Sequence, residues 1–306
     1  MSVAAAAGHR AKPGRWLYDA CPICGATIGA DRTSPPVENR DGDAVEFRIC
    51  DRCWTLIPSD TDATGDELDE TARQADYHAE LWDDVNYEQL DLLAAGAMQL
   101  AWEFAESLGE PGSQGTIVDI GAGRGNILHA VRRLGYDVRG CEPSPGLTAI
   151  GRSAYLLGPE ILENVDAEHF LRRLGSGDRP ISGFIIWHVL EHLQNPVPLL
   201  RRCLEIAPDP QVFIELPLAI AEDIFPEHLF FPTPRTLLWL AEEHQLNIQL
   251  LQVTEDQRLR VFYSRQPVVM QPQAVGAIED LEEVYRTMSP AFEFFASGVI
   301  DHVGIG

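Results

Sequence analysis

Apolar and polar positions divide this chain into stretches of different period. From position 116 onward, short apolar runs alternate with longer segments in which apolar residues recur at helical spacing. The runs predict strands over 116–120, 137–141, 184–187 and 212–216, and the periodic segments predict helices over 126–134, 147–156 and 197–205. A further helix over 234–244 and strands over 248–253 and 259–263 continue the series. Such alternation predicts an α/β fold, a mostly parallel sheet with crossover helices on both faces.

The flanks read differently. Residues 1–15 lack periodicity and are expected to be a disordered lead, and 16–60 is a short stretch punctuated by cysteines. The segment 61–112 contains a proline-free run, 66–108, in which Leu90, Leu93, Ala97, Leu100, Trp102 and Phe104 fall at broadly helical spacing. It is expected to be a helical connector, with Tyr77, His78 and Trp82 as candidates for a lid. The sheet domain is expected over 113–268, and 269–306 is expected to hold an acidic helix around 275–288 and a mixed tail.

Composition narrows the function. The 306 residues carry 47 acidic and 23 basic side chains, a formal charge of −24, and Lys12 is the single lysine. Such a surface repels phosphate backbones, so a nucleic-acid partner is not expected. No apolar run approaches the roughly 20 residues that span a bilayer, and the Ala-rich start is too short and weakly apolar for a signal segment. A soluble cytoplasmic protein acting on a small molecule is the expectation.

The strand 116–120 runs straight into Gly121-Ala122-Gly123-Arg124-Gly125, followed by helix formers from Asn126. Glycines let the backbone turn sharply and let a ligand touch it. The spacing is GxGxG, which is neither the GxGxxG of nicotinamide enzymes nor the GxxxxGK[ST] of nucleoside-triphosphate binders. Glu142 ends the next strand, where a carboxylate can accept two ribose hydroxyls. Asp166 follows Ile161, Leu162 and Val165 in a place suited to an adenine amino group.

With VDIGAGRG (118–125), GCEPS (140–144), VDAEHF (165–170), WHVLEHLQNP (187–196) and VFIELP (212–217), the chain resembles the class I methyltransferases that use S-adenosylmethionine. The likeness covers about 113–265 and is nearest to the branch of ubiquinone-type O-methyltransferases and deoxysugar C-methyltransferases. It implies a Rossmann-like sheet of seven strands. It also implies that Gly121, Gly123 and Gly125 form the cofactor loop, that Asp119 orients the loop and the cofactor amino group, and that Glu142 holds the ribose. Asp166 would lie near the adenine, and Trp187 and His188 would border the methyl donor.

His188, Glu191 and His192 follow the buried run 184–187, and ligands of open α/β sheets bind beyond the carboxyl ends of strands. They are candidates for catalysis, His188 or His192 as the base that takes the acceptor proton and Glu191 as its orienting partner. The competing reading is that Glu191 and His192 bond each other or the backbone and fix the loop. HxxEH also matches a zinc-protease pattern, but Pro196 and Pro198 interrupt the helix which that pattern needs. His228 and Phe230, in a loop that reaches the acceptor pocket in the family, are expected to contact substrate.

Cys21, Cys24, Cys50 and Cys53 form two CxxC pairs, a set that suits tetrahedral Zn²⁺ bound by four thiolates and leaves no open position for a substrate. The intervening 25–49 exceeds the usual ribbon spacing, which predicts an inserted loop around Pro35 and Pro36. The expected cofactors are therefore S-adenosylmethionine and a structural Zn²⁺. A four-cysteine front also resembles the deoxysugar enzymes, whose further C-terminal domain is not expected here. The alternative function is a non-catalytic protein of the same fold that uses the cysteine module as an interaction surface.

Overall fold

A computed structural model describes residues 16, 18–29, 32–59, 97–98, 101–102, 104–105, 115–174, 180–207, 209–254, 256–267 and 278–300. The candidate lid residues Tyr77, His78 and Trp82, most of the connector and the lead lie outside them.

The sheet begins with β5 (Thr116–Ile120), buried along its whole length, as a central parallel strand must be. α1 (Asn126–Arg133), β6 (Val138–Cys141), α2 (Pro145–Ala154), β7 (Leu162–Glu163) and α3 (Ala167–Leu174) follow. The second half comprises β8 (Ile181–Trp187), α4 (Pro196–Ile206), β9 (Gln211–Pro217), α5 (Pro234–His244), β10 (Asn247–Val253) and β11 (Arg258–Ser264). Seven strands align in the order β10-β11-β9-β8-β5-β6-β7. β8 and β6 flank β5 in parallel, and β11 runs antiparallel to both β9 and β10. This is the expected Rossmann-like α/β architecture, with β7 a strand that the apolar pattern did not mark.

Alternate residues of β5 feed two cores: Val118 and Ile120 pack on one face, Ile117 on the other. Each such Ile or Val contributes about 1.5–3 kcal/mol by leaving water. Among the described connector residues, Ala97, Ala101 and Phe104 cover the second face, Phe104 lying 5.7 Å from the Phe213 ring and 6.0 Å from Phe262. Trp102, expected on the apolar stripe, is exposed.

The cysteine segment contributes β1 (Val37–Glu38), β2 (Ala44–Val45), β3 (Phe47–Ile49) and β4 (Leu56–Pro58). The extra length between the CxxC pairs is largely a β1–β2 hairpin, closed by Asn39, whose side-chain oxygen accepts the Asp41 and Asp43 N–H groups at 3.0 and 2.8 Å. This segment has no separate core. Its Cys21, Phe47, Leu56 and Ile57 belong to one cluster with Ile214, Phe231, Leu237 and Phe292 of the sheet domain and C-terminus. The tail carries two helices, α6 (Ile278–Met288) and α7 (Pro290–Ile300), the second starting with proline at its first turn. The mixed tail is therefore more ordered than its composition implied.

Candidate active site

Three successive glycines with positive φ make the turn after β5: Gly121 at 68°, Gly123 at 56° and Gly125 at 73°. A Cβ on Gly121 would stand 2.5 Å from a Val189 methyl carbon, so the turn closes against the loop after β8. A Cβ on Gly123 would meet nothing within 4 Å, because this glycine faces a cavity of about 740 Å³. That volume lies within the roughly 300–1,000 Å³ of small-molecule sites. Gly121, Gly123, Glu142, Asp166, Trp187, His188 and His192 line it, at the carboxyl ends of β5, β6 and β8. Gly125, Asp119, Glu191 and His228 do not. Gly125 caps α1 behind the wall, Asp119 is buried under the turn, and Glu191 and His228 stand behind His192.

Glu142 is buried at the end of β6, and its two carboxylate oxygens accept Gly123 N–H at 3.0 Å and Ser144 N–H at 2.8 Å. Burial raises its pKa, against the lowering effect of those two N–H groups. Each oxygen keeps a further lone pair for a ligand hydroxyl. Asp119 is 1% exposed, and burial, then the charge of Glu142, holds its carboxyl well above the usual range. Its Oδ2 has no hydrogen-bond partner among the described residues. At the cavity itself, a carboxylate with spare acceptors and an open glycine suit a ligand that carries paired hydroxyls and approaches the backbone closely. Asp166 lines the cavity just before α3, with both oxygens engaged by His169, through backbone N–H at 2.8 Å and ring Nδ1 at 2.6 Å.

The opposite wall is built on His188, which takes φ 51° as the chain leaves β8. Holding a non-glycine residue there costs about 1–3 kcal/mol, a strain that clusters at functional sites. The His188 amide anchors to the Glu215 carbonyl at 3.0 Å. Its Nδ1 meets Glu191 Oε1 at 3.0 Å and its Nε2 lies 3.4 Å from Glu215 Oε1. Burial disfavours the charged ring, but Glu191 and then Glu215 outweigh it and raise the pKa to about 9. The two carboxylates thus favour the protonated form of the His188 ring. Glu215 and Arg260 were not singled out in the sequence. Arg260 donates through Nε at 2.8 Å and Nη2 at 2.7 Å to Glu215 Oε2, and this register of β9 against β11 holds the network together.

A short 3₁₀ turn, 190–192, follows. HxxEH thus does not lie on one helix face, and the protease pattern has no structural basis. His192 Nδ1 is 3.0 Å from the Glu227 carbonyl, and His228 Nδ1 is 2.7 Å from the Asp223 carbonyl. Burial, then the neighbouring His192, pushes the His228 pKa down to about 3. The two rings lie 4.9 Å apart, and Phe225 packs 3.9 Å from His228. Leu229 N–H donates to the Glu191 carbonyl at 2.8 Å, joining the two loops. Phe230, expected to touch substrate, is 1% exposed and packs in the core instead.

The cysteine module grips the same loop from outside. Leu56 and Phe231 exchange backbone hydrogen bonds at 2.9 and 2.8 Å, and Thr55 Oγ1 lies 3.2 Å from Thr236 Oγ1. Both CxxC turns share one pattern: Gly25 N–H reaches the Cys21 carbonyl at 2.9 Å, and Trp54 N–H reaches Cys50 at 2.8 Å. The residue after each pair is left-handed, φ 69° at Gly25 and 63° at Trp54. Trp54 offsets that strain by packing 4.0 Å from the Arg235 guanidinium and 6.1 Å from Phe292. The Sγ atoms of Cys21 and Cys53 are 3.5 Å apart, those of Cys24 and Cys50 3.3 Å. A tetrahedral zinc with bonds near 2.3 Å sets sulfurs about 3.8 Å apart, so the cluster fits that ion.

The methyltransferase-domain family model matches residues 95–251. No protein of curated function matches the chain in sequence. Among solved structures, magnesium protoporphyrin IX methyltransferase from Synechocystis PCC 6803 with bound S-adenosylhomocysteine is 13% identical, covering 65% of this chain and 100% of that one at a TM-score of 0.48. An S-adenosylmethionine-dependent methyltransferase from Archaeoglobus fulgidus is 17% identical, with 55% and 94% covered and a TM-score of 0.44. The plantazolicin methyltransferase BpumL, in complex with a monoazolic desmethyl analogue and S-adenosylhomocysteine, is 13% identical, with 65% and 96% covered and a TM-score of 0.47.

Proposed function

The chain belongs to the methyltransferase-domain family, and from that premise we propose that it binds S-adenosylmethionine beyond the ends of β5 and β6 and methylates a small-molecule acceptor. One observation carries the reading: Glu142 holds the glycine turn through Gly123 N–H while lining the cavity, with acceptor capacity left for two ribose hydroxyls. Gly121 and Gly123 give the close backbone approach, and Asp119, buried beneath them, would orient the turn that meets the cofactor's amino group. Asp166 and Trp187 border the same cavity.

When bound there, S-adenosylmethionine supplies an electrophilic methyl group on sulfur. The chain's own work is to align the acceptor, exclude water and draw off its proton. Glu191, His192 and His228 are the groups for that last task, with His192 at the cavity wall and His228 and Glu191 behind it. His188, held by two carboxylates, fixes their positions. The four cysteines hold a structural Zn²⁺ that completes the module gripping the His228 loop.

Calorimetry with S-adenosylmethionine, followed by incubation of labelled donor with candidate metabolites, tests the reading. Binding is expected, with His192→Ala and His228→Ala lowering turnover and sparing donor affinity. Absence of donor binding to the zinc-loaded protein, or unchanged turnover in both variants, refutes it.

A further inference from the structure

Behind the cavity wall, Glu191, His192 and His228 bring a ligand atom each within 4.8 Å of one another. The geometry points to a binding site for a divalent first-row transition-metal ion in this cluster, separate from the four cysteines. The tautomers favour it. A carbonyl oxygen only accepts, so the bonds from His192 to the Glu227 carbonyl (3.0 Å) and from His228 to the Asp223 carbonyl (2.7 Å) place a proton on each Nδ1. Each ring then keeps an Nε2 lone pair, the arrangement in which metal-ligating histidines are held by a backbone carbonyl. His228 Nε2 lies 4.0 Å from Glu191 Oε1, too far for a hydrogen bond. Glu191 is fully buried, and its Oε2 has no hydrogen-bond partner among the described residues. Glu191 Oε1 already meets His188 Nδ1 at 3.0 Å, so it is the unpartnered Oε2, beside the two imidazole lone pairs, that calls for a cation.

The site is also rigid. Leu229 N–H to the Glu191 carbonyl at 2.8 Å fixes the His228 loop against the 3₁₀ turn, so the ligands need little rearrangement to close. Two imidazoles and a carboxylate suit Zn²⁺, Fe²⁺, Co²⁺, Ni²⁺ or Mn²⁺ better than Mg²⁺ or Ca²⁺. Three protein ligands leave coordination positions open, unlike the closed four-thiolate set. Because His192 lines the cavity, an open position can receive an oxygen atom of the acceptor. The acceptor class is then an alcohol, phenol or enol whose hydroxyl would ionise beside the metal and release its proton to water, so that Glu191, His192 and His228 draw off the proton through the ion they hold and not as free bases. That assignment of the acceptor rests on the methyl-transfer reading, whereas the metal site does not.

Mn²⁺, a poor competitor for thiolates, is the probe. It is titrated into the full-length, zinc-loaded protein and followed by electron paramagnetic resonance, with zinc content and circular dichroism as fold controls. One Mn²⁺ site per chain is expected, displaced by added Zn²⁺. Affinity should fall at least about tenfold in Glu191→Gln and His228→Gln. Should either fail to fold, His192→Gln at the cavity wall carries the comparison. No Mn²⁺ binding by the wild type, or binding unchanged in these variants, overturns the site. Calorimetry with S-adenosylmethionine on the same samples separates the two ideas, since metal binding without donor binding removes only the methyl-transfer reading.

Discussion

Replacing Glu142 by glutamine tests the cofactor grip with almost no change of shape. In the wild type both carboxylate oxygens accept backbone N–H groups, from Gly123 at 3.0 Å and Ser144 at 2.8 Å. Whichever way the substituted amide turned, its NH₂ would face one of those donors. One charge-assisted hydrogen bond is lost, and a buried N–H is left without an acceptor, at a cost of about 1–3 kcal/mol. The turn so disturbed is the one that must meet the cofactor. At about 1.4 kcal/mol per factor of ten, affinity for S-adenosylmethionine should fall about 5- to 140-fold. Calorimetry on the zinc-loaded protein measures it, and the unfolding midpoint without ligand shows how much of the cost the free protein already bears. Wild-type affinity in a folded Glu142→Gln protein would refute the assignment of this carboxylate to the ribose.

Three further outcomes are expected. Asp119→Asn should flatten the pH dependence of stability: a buried carboxyl held well above 3.8 makes the wild type lose stability as pH rises from that value through the folded pKa, and the amide cannot titrate. Urea midpoints between pH 4 and 8 check this, and parallel wild-type and variant curves would contradict it. Elemental analysis should find one zinc bound by the cysteine site per chain, lost in Cys50→Ser, and hydrogen exchange at the Leu56 and Phe231 amides should accelerate once zinc is stripped. An unchanged exchange rate would mean that the module does not hold the loop. Cys141 and Cys203, whose thiols burial pushes far up, should resist iodoacetamide in the native protein while reacting after denaturation, as mass spectrometry can count.

The glycine turn was legible because a fully buried parallel strand reads as an unbroken apolar run, and the glycines that follow have a local steric reason. Glu142 was legible from its place at the next strand end. Glu215 and Arg260 were not: each sits inside an apolar strand, and only the registers of β9 against β8 and β11 bring them to His188 and to each other. A sequence clue existed, opposite charges set among the Val, Ile, Leu and Phe of two strands. His188 lines the cavity, yet its electrostatics depend on carboxylates three and twenty-seven positions away (188 to 191 and 188 to 215). Phe230 was expected at the substrate because the family's loop reaches the acceptor pocket, but β4 and the C-terminal Tyr285 cover its segment. α7 was missed because its mainly apolar sequence carries little helical periodicity.

The two-way backbone pairing of Leu56 with Phe231 ties the front of this chain to its histidine loop. A chimera that transplants 16–59 from a relative would bring a strip shaped for another loop, and its Phe47 and Thr55 equivalents would meet strangers at 231 and 236. Changes of acceptor preference during divergence should therefore leave a paired trace in both segments, far apart in sequence and adjacent in space.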